Sequence, residues 1–456
     1  MTPAESPAHR STARAIDALR GYWSGRSAVL FWPSFTGTAR VLTGQLAACG
    51  ATVAGVVTAT APAADAPAVP HIFSCAQQGL DVPRNGFYRW LENPPPELGA
   101  WLDRVDPQRS WTVLGDNFLA AGELLGRPVH GWRRPQWSAW EDKTRIEALW
   151  HLAGIPSPRH VVTRVDDPAV AGHVRELDRG SGVVLAIDST RAHYGNATGL
   201  RWVRDPHALA EALRWAGERA RTVRIAEFVE GTPCSILGTV LADGVAVFDP
   251  LEIVTLRERH GARLTFCGSS TRWRPDPAAV DQMRHYVRLA GSWLAANAGF
   301  RGMFSVDGLL GEDGFTATEL NPRQASGLGL REAWPGFPGY LFQRGVQEAL
   351  PGVADLPWQD VETAFRDAIR RHPSHSVSVP APQASLPPGE HSAHLITGDL
   401  ARTVRFRLDD RRARLTDVDP LPGDGSLGPT AAALARLLGR PELAAPCDRF
   451  HPGGTP

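Results

Sequence analysis

The chain of 456 residues is 43% hydrophobic, which supports real cores and exceeds what one core serves, so two or three packed units are expected. Its 48 basic and 48 acidic side chains cancel, which excludes a surface built to coat a polyanion; no nucleic-acid or membrane partner is expected. No run of about 18 apolar residues occurs, and residues 1–20 lack an apolar signal core, so neither a spanning helix nor secretion is expected.

Residues 1–26 read as a polar, partly helical leader. From Ser27 an apolar run reads as a buried strand, followed by a turn at 33–37, a helix at 40–48 and a second β-branched strand at 51–58. That order indicates an α/β unit with parallel strands, closed near Trp137 by a further strand at 111–115. Residues 67–96, with several prolines, read as irregular. A second unit, 138–351, opens with a helix at 142–152, stopped by the breaker-rich turn at Gly154 to Pro158. Strands are expected at 160–163, 182–187, 222–228, 235–241 and 245–248, then a long helix at 277–298 and a hairpin at 303–320. Residues 251–273, rich in arginine and glycine, read as a mobile loop able to capture a carboxylate, or as a solvated basic loop. After a Pro-rich linker at 380–388, the region 352–456 ends in alternating strand-like and helix-like pieces. The expected fold class is α/β and α+β, in several domains.

Two compositional details bear on chemistry. The five cysteines are dispersed and never in C-x-x-C spacing, which fits free thiols in a reducing cytoplasm. Lys143 is the single lysine, so every other basic residue is arginine. In such a chain a lysine marks either chance survival or a place where a compact ammonium is needed and a planar guanidinium does not fit.

The hairpin carries the densest pattern. A three-residue loop at Glu312, Asp313 and Gly314 would set Leu309 across from Ala317, Asp307 across from Glu319 and Ser305 across from Asn321. The two-residue period of a strand then puts Ser305, Asp307, Glu319 and Asn321 on one face. Facing carboxylates repel unless a cation lies between them, and such oxygens suit Mg2+. An exposed hairpin with solvated acids is the other reading.

Phe304 to Gly308 followed by Ala317 to Arg323 resembles the metal-binding hairpin of the ATP-grasp superfamily, whose members activate a carboxylate with ATP and pass the acyl group to an amine. Three further pieces agree in order, and the likeness covers about residues 27–345. Glu141-Asp142-Lys143 is similar to the first ATP-binding lysine segment, Glu227 to Gly231 resembles the hinge between lobes, and the first α/β unit looks like the Rossmann-like domain ahead of the grasp. The resemblance implies ATP as co-substrate, with Lys143 on its phosphates, Phe228 and Val229 on adenine, and Glu227 and Glu230 at the hinge, Glu230 on the ribose. It implies Mg2+, with Mn2+ as an alternative, on Asp307, Glu319 and Asn321, and Arg323 on the transferred phosphate. Two departures stand out. The strand at 183–188 lacks the second cation common in the superfamily, leaving Arg191 or His193 of the next loop to supply it. The hinge continues with Thr232-Pro-Cys-Ser, where relatives often place a glutamate.

Arg301 is a further candidate ligand for a substrate carboxylate. The implied activity is ATP-dependent amide or peptide bond formation through an acyl-phosphate on amino acids or small peptides, with a homodimer among the expectations. A nucleotide-binding sensor without ligase chemistry is the alternative from another class. A carboxylase is a third reading, disfavoured by the lack of a biotin-carrier signature.

Overall fold

In the computed structural model the uninterrupted apolar run at 27–31 forms strand Ser27–Phe31, which lies between Thr52–Thr58 and Thr112–Gly115 in a parallel sheet. The structure describes residues 7–64, 66–189, 195, 197–259, 261–325, 329–382, 386–397, 400–409 and 411–445. A fourth parallel strand, His71–Ser74, comes from the stretch 67–96 that reads as irregular, and the helix Pro96–Val105 starts at its end. Proline at the first helical position is compatible with that helix, because its missing N–H is unneeded there.

A second sheet of four antiparallel strands has the order His160–Arg164, Thr222–Glu227, Val183–Ile187, Leu200–Val203. The third sheet is much wider. It runs from the hairpin Gly302–Gly311 and Gly314–Asn321 through Thr232–Val240, Leu251–Glu258 and Leu264–Ser270 to His375–Pro380 and the strands between Gly389 and Asp419. The cavity described below lies between these two antiparallel sheets, crossed by the hinge at 227–231.

The helix Pro277–Ala298 supports the hairpin from behind. Met283, Val287, Ala290, Gly291 and Leu294 recur at helical spacing and are buried against Thr232–Val240, Val245–Val247 and Phe304. Asp276 caps its start by accepting from Ala278 N at 2.8 Å, and Gly299 at φ 58° ends it. Gly291 is required by close approach, since a Cβ there would come within 2.7 Å of the Phe304 ring and of Val245.

Four expectations are corrected. Within the expected polar leader, Pro7–Trp23 is a packed helix whose Ala15, Leu19 and Trp23 are fully buried against Trp358–Arg371 and Gly339–Gln347. The helix expected at 142–152 is shorter, Glu147–Ala153, because Asp142 turns its side chain back onto Thr144 and holds a turn instead. Most of the expected loop at 251–273 is two paired strands, Leu251–Glu258 and Leu264–Ser270, in which Arg257 is buried. The Pro-rich stretch at 380–388 joins two strands of one sheet, so the strands on either side of it belong to one layer.

The last helix, Gly428–Leu437, is tied to that layer by one carboxylate. Glu252, buried, accepts from Ser426 Oγ at 2.8 Å, Leu427 N at 2.7 Å and Gly428 N at 2.9 Å. It does for the helix start what a neighbouring cap residue normally does. Glu252→Ala strands these donors and is expected to cost about 2–4 kcal/mol, read as a lower denaturant midpoint; an unchanged midpoint would remove the cap from this account.

Candidate active site

The hairpin brings its acids together by a route that differs from the expected one. The turn has two residues, Glu312 and Asp313, between the paired Gly311 and Gly314, so Leu309 faces Thr316 and Gly308 faces Ala317. A bulge at Thr318, whose hydroxyl donates to Asp307 O at 3.1 Å, then restores the register. Asp307 faces Glu319 and Ser305 faces Asn321 as expected, while Leu309 opposite Ala317 is corrected by one residue.

Asp307 accepts from Ser235 Oγ at 2.6 Å and from Asn321 Nδ2 at 3.1 Å. Burial pushes its carboxyl up to about 7, and the charge of Glu319 adds to the effect. Lys143 Nζ lies 2.7 Å from Glu319 Oε2, so an ammonium already answers part of the negative charge on this face. Asp307, Glu319, Asn321, Lys143 and Arg323 line one cavity of about 630 Å³, together with Glu227, Phe228, Val229 and Glu230 of the hinge. Among the described residues no cluster of three His, Cys, Asp or Glu side chains is arranged to hold a metal, so the donor set is two carboxylates and one amide.

Glu141, Asp142 and Lys143 point to three different partners. Glu141 is buried and pairs with Arg133 and with Arg323, whose Nε and Nη2 lie 3.0 and 2.8 Å away. Asp142 accepts from Thr144 on one oxygen and from Ser189 N at 2.9 Å on the other, which ties the start of the glycine-bearing loop to this segment. Lys143 is left to project into the cavity. Arg323 also donates to Asn321 Oδ1 at 2.9 Å, so it is oriented by two partners before any ligand arrives.

At the hinge, Phe228 stacks on Trp202 with centroids 4.7 Å apart, and Arg257 lies over both rings. Arg257 Nη1 reaches the two oxygens of Glu230 at 2.9 and 3.0 Å, which fixes the carboxylate at the cavity rim. Glu227 accepts from Arg159 N at 3.0 Å. Arg191 and His193 lie outside the described residues. Arg301 is exposed in the turn before Gly302 and does not line the cavity, because it precedes Asp307 by most of a strand's length.

Sequence reading missed three contributors, Ser235, Glu147 and Arg224, and placed Arg257 in a carboxylate-capturing loop where it stands on a strand beside Glu230. Arg224 lines the cavity and is buried beside Glu147, which in turn lies 3.5 Å from His160 Nδ1. A single arginine inside the otherwise strand-like run Val223 to Ala226 was the available signal.

No family profile matches the chain. A D-alanine–D-alanine ligase of Anaeromyxobacter sp. (strain Fw109-5) is 27% identical over 222 residues, covering 46% of this chain and 68% of the relative. One from Nitrosospira multiformis is 36% identical over 122 residues, 26% of this chain and 37% of that protein. The N5-carboxyaminoimidazole synthase of Aspergillus clavatus, solved with ADP and 5-aminoimidazole ribonucleotide, superposes over 92% of this chain and 98% of its own with TM-score 0.52 at 14% identity. Rhizobium etli pyruvate carboxylase superposes over 86% of this chain and 35% of its own with TM-score 0.54 at 14% identity. The superpositions show an ATP-grasp fold, and the sequence is similar to D-alanine–D-alanine ligases over part of its length.

Proposed function

We propose that this chain joins a carboxylate to an amine through an acyl-phosphate, releasing ADP and phosphate, with amino acids or small peptides as substrates. The observation that carries the reading is the convergence of Lys143, Arg323, the Asp307–Glu319 face and the hinge on one cavity. The names of the sequence relatives, ligases that join two alanines, support the substrate class.

Asp307, Glu319 and Asn321 would hold Mg2+ (or Mn2+), and the donor set fits: two facing carboxylates, one of them pushed up to about 7, need a cation between them. When bound, such an ion offsets phosphate charge. The chain's own groups do the rest by position. Lys143 answers charge on the phosphates as a point cation, and Arg323, held by Glu141, presents a fork to the transferred phosphoryl group. Phe228 and Val229 offer backbone groups to the adenine edge, and Glu230, anchored by Arg257, faces the ribose. No nucleophilic side chain is required, because the substrate carboxylate attacks the terminal phosphate and the amine then displaces phosphate from the acyl-phosphate.

The test is release of ADP and phosphate from Mg-ATP across a matrix of amino acids and dipeptides. Turnover that requires one carboxylate and one amine together supports the reading; ATP binding without turnover across the matrix would replace it with the sensor. Asp307→Asn is expected to lower kcat about 10²–10³-fold while leaving adenosine binding intact; wild-type turnover in that variant would remove the hairpin from the mechanism.

A further inference from the structure

The strand Val183–Ile187 carries no cation toward the cavity, although a nucleoside triphosphate brings several negative charges into it. Two cationic side chains among the described lining residues are paired with carboxylates that also line the cavity: Lys143 with Glu319 and Arg257 with Glu230. Arg323 and Arg224 instead are held by carboxylates outside the lining, Glu141 and Glu147. Glu147 belongs to helix Glu147–Ala153 and does not line the cavity, so it holds the guanidinium from behind while Arg224 reaches the lining.

The strand register gives this arrangement its meaning. Arg224 pairs with Ala186 and Ala226 pairs with Val184, all on adjacent strands. Val223 and Ile225 point into the core beneath, which directs Arg224 and Ala226 to the cavity side. The two alanines leave space around the guanidinium, on the surface where the neighbouring strand offers only apolar side chains. Glu147 answers the buried guanidinium from behind and Glu319 acts on it through space, which leaves its cavity side available to an anion.

We propose that Arg224 is a phosphate-binding residue of the nucleotide site, held in place by Glu147 as a positioning residue, and that it stands in from the adjacent strand for the cation missing from Val183–Ile187. The inference rests on the proposed ATP-dependent reading and deepens it by naming the second cation. A plain structural ion pair between helix and strand is the competing account.

Direct titration with Mg-ATP and, separately, with adenosine distinguishes the two. Arg224→Gln is expected to weaken ATP binding about tenfold to hundredfold, the size of one charge-assisted contact, with adenosine binding unchanged. Arg224→Lys is expected to recover part of the ATP affinity, and Glu147→Gln to lose a smaller share. If Arg224→Gln does not fold, the double variant with Glu147→Gln leaves no unpaired buried charge and is read in the same way. ATP affinity equal to the parent's, or a loss shared equally by adenosine, overturns the proposal. A parent chain that binds neither ligand fails the ATP-dependent reading itself.

Discussion

Lys143→Ala is expected to lower the rate of ADP release about a hundredfold to a thousandfold, the usual loss when one preorganised cation is removed from a developing charge. The side chain is mostly shielded from solvent, its ammonium is fixed by Glu319, and it faces the cavity beside Asp307 and Asn321. Removal also leaves Glu319 facing Asp307 with one cation fewer, so affinity for the metal-free nucleotide is expected to fall together with kcat. Lys143→Arg tests the shape of the cation as well as its sign. A guanidinium is planar and longer, and the chain uses arginine everywhere else, so incomplete rescue is expected.

The lone lysine provides a second, independent readout. An amine-reactive reagent has one side-chain target in this sequence, and ATP bound over Lys143 is expected to slow its labelling. Labelling at the same rate with and without ATP would sink the assignment of Lys143 to the phosphates, whatever the alanine variant does.

The hairpin acids were legible because a two-residue period and one loop determine which side chains share a face. The loop length was misjudged and the bulge at Thr318 was invisible, yet the two errors cancelled at Asp307 and Glu319. Lys143 was legible through composition alone, its rarity acting as the signal. Arg257 and Arg224 were not, because a charged residue in a strand reads as an exposed one unless its partner is known. Their partners, Glu230 and Glu147, lie 27 and 77 positions away and become neighbours only when the sheets form. The hairpin Leu251–Glu258 with Leu264–Ser270 was missed for a related reason: its arginines masked an alternation whose apolar side chains Leu251, Ile253, Leu264 and Phe266 face the cavity.

Trp23→Ala is expected to cost about 3–5 kcal/mol, the range for removing a fully buried aromatic side chain, although it stands in a segment that reads as a polar leader. The helix Pro7–Trp23 is polar by composition but buries one face, Ala8, Ser11, Thr12, Ala15, Leu19 and Trp23, at spacings of three and four. The indole packs edge-on against His130, with centroids 5.1 Å apart, so its removal opens space between the parallel sheet and the helices beyond it. Leu19 packs over Gly345, in the helix Gly339–Gln347, and Gln343 of that helix accepts from Met303 N at the base of the hairpin's first strand. The predicted loss is therefore coupled to the site: the denaturation midpoint falls, and turnover at temperatures near it falls with the hairpin's support. Asp17→Ala, on the exposed face of the same helix, is expected to change stability by no more than about 0.5 kcal/mol. A Trp23→Ala variant as stable as the Asp17 control would detach the helix Pro7–Trp23 from the core.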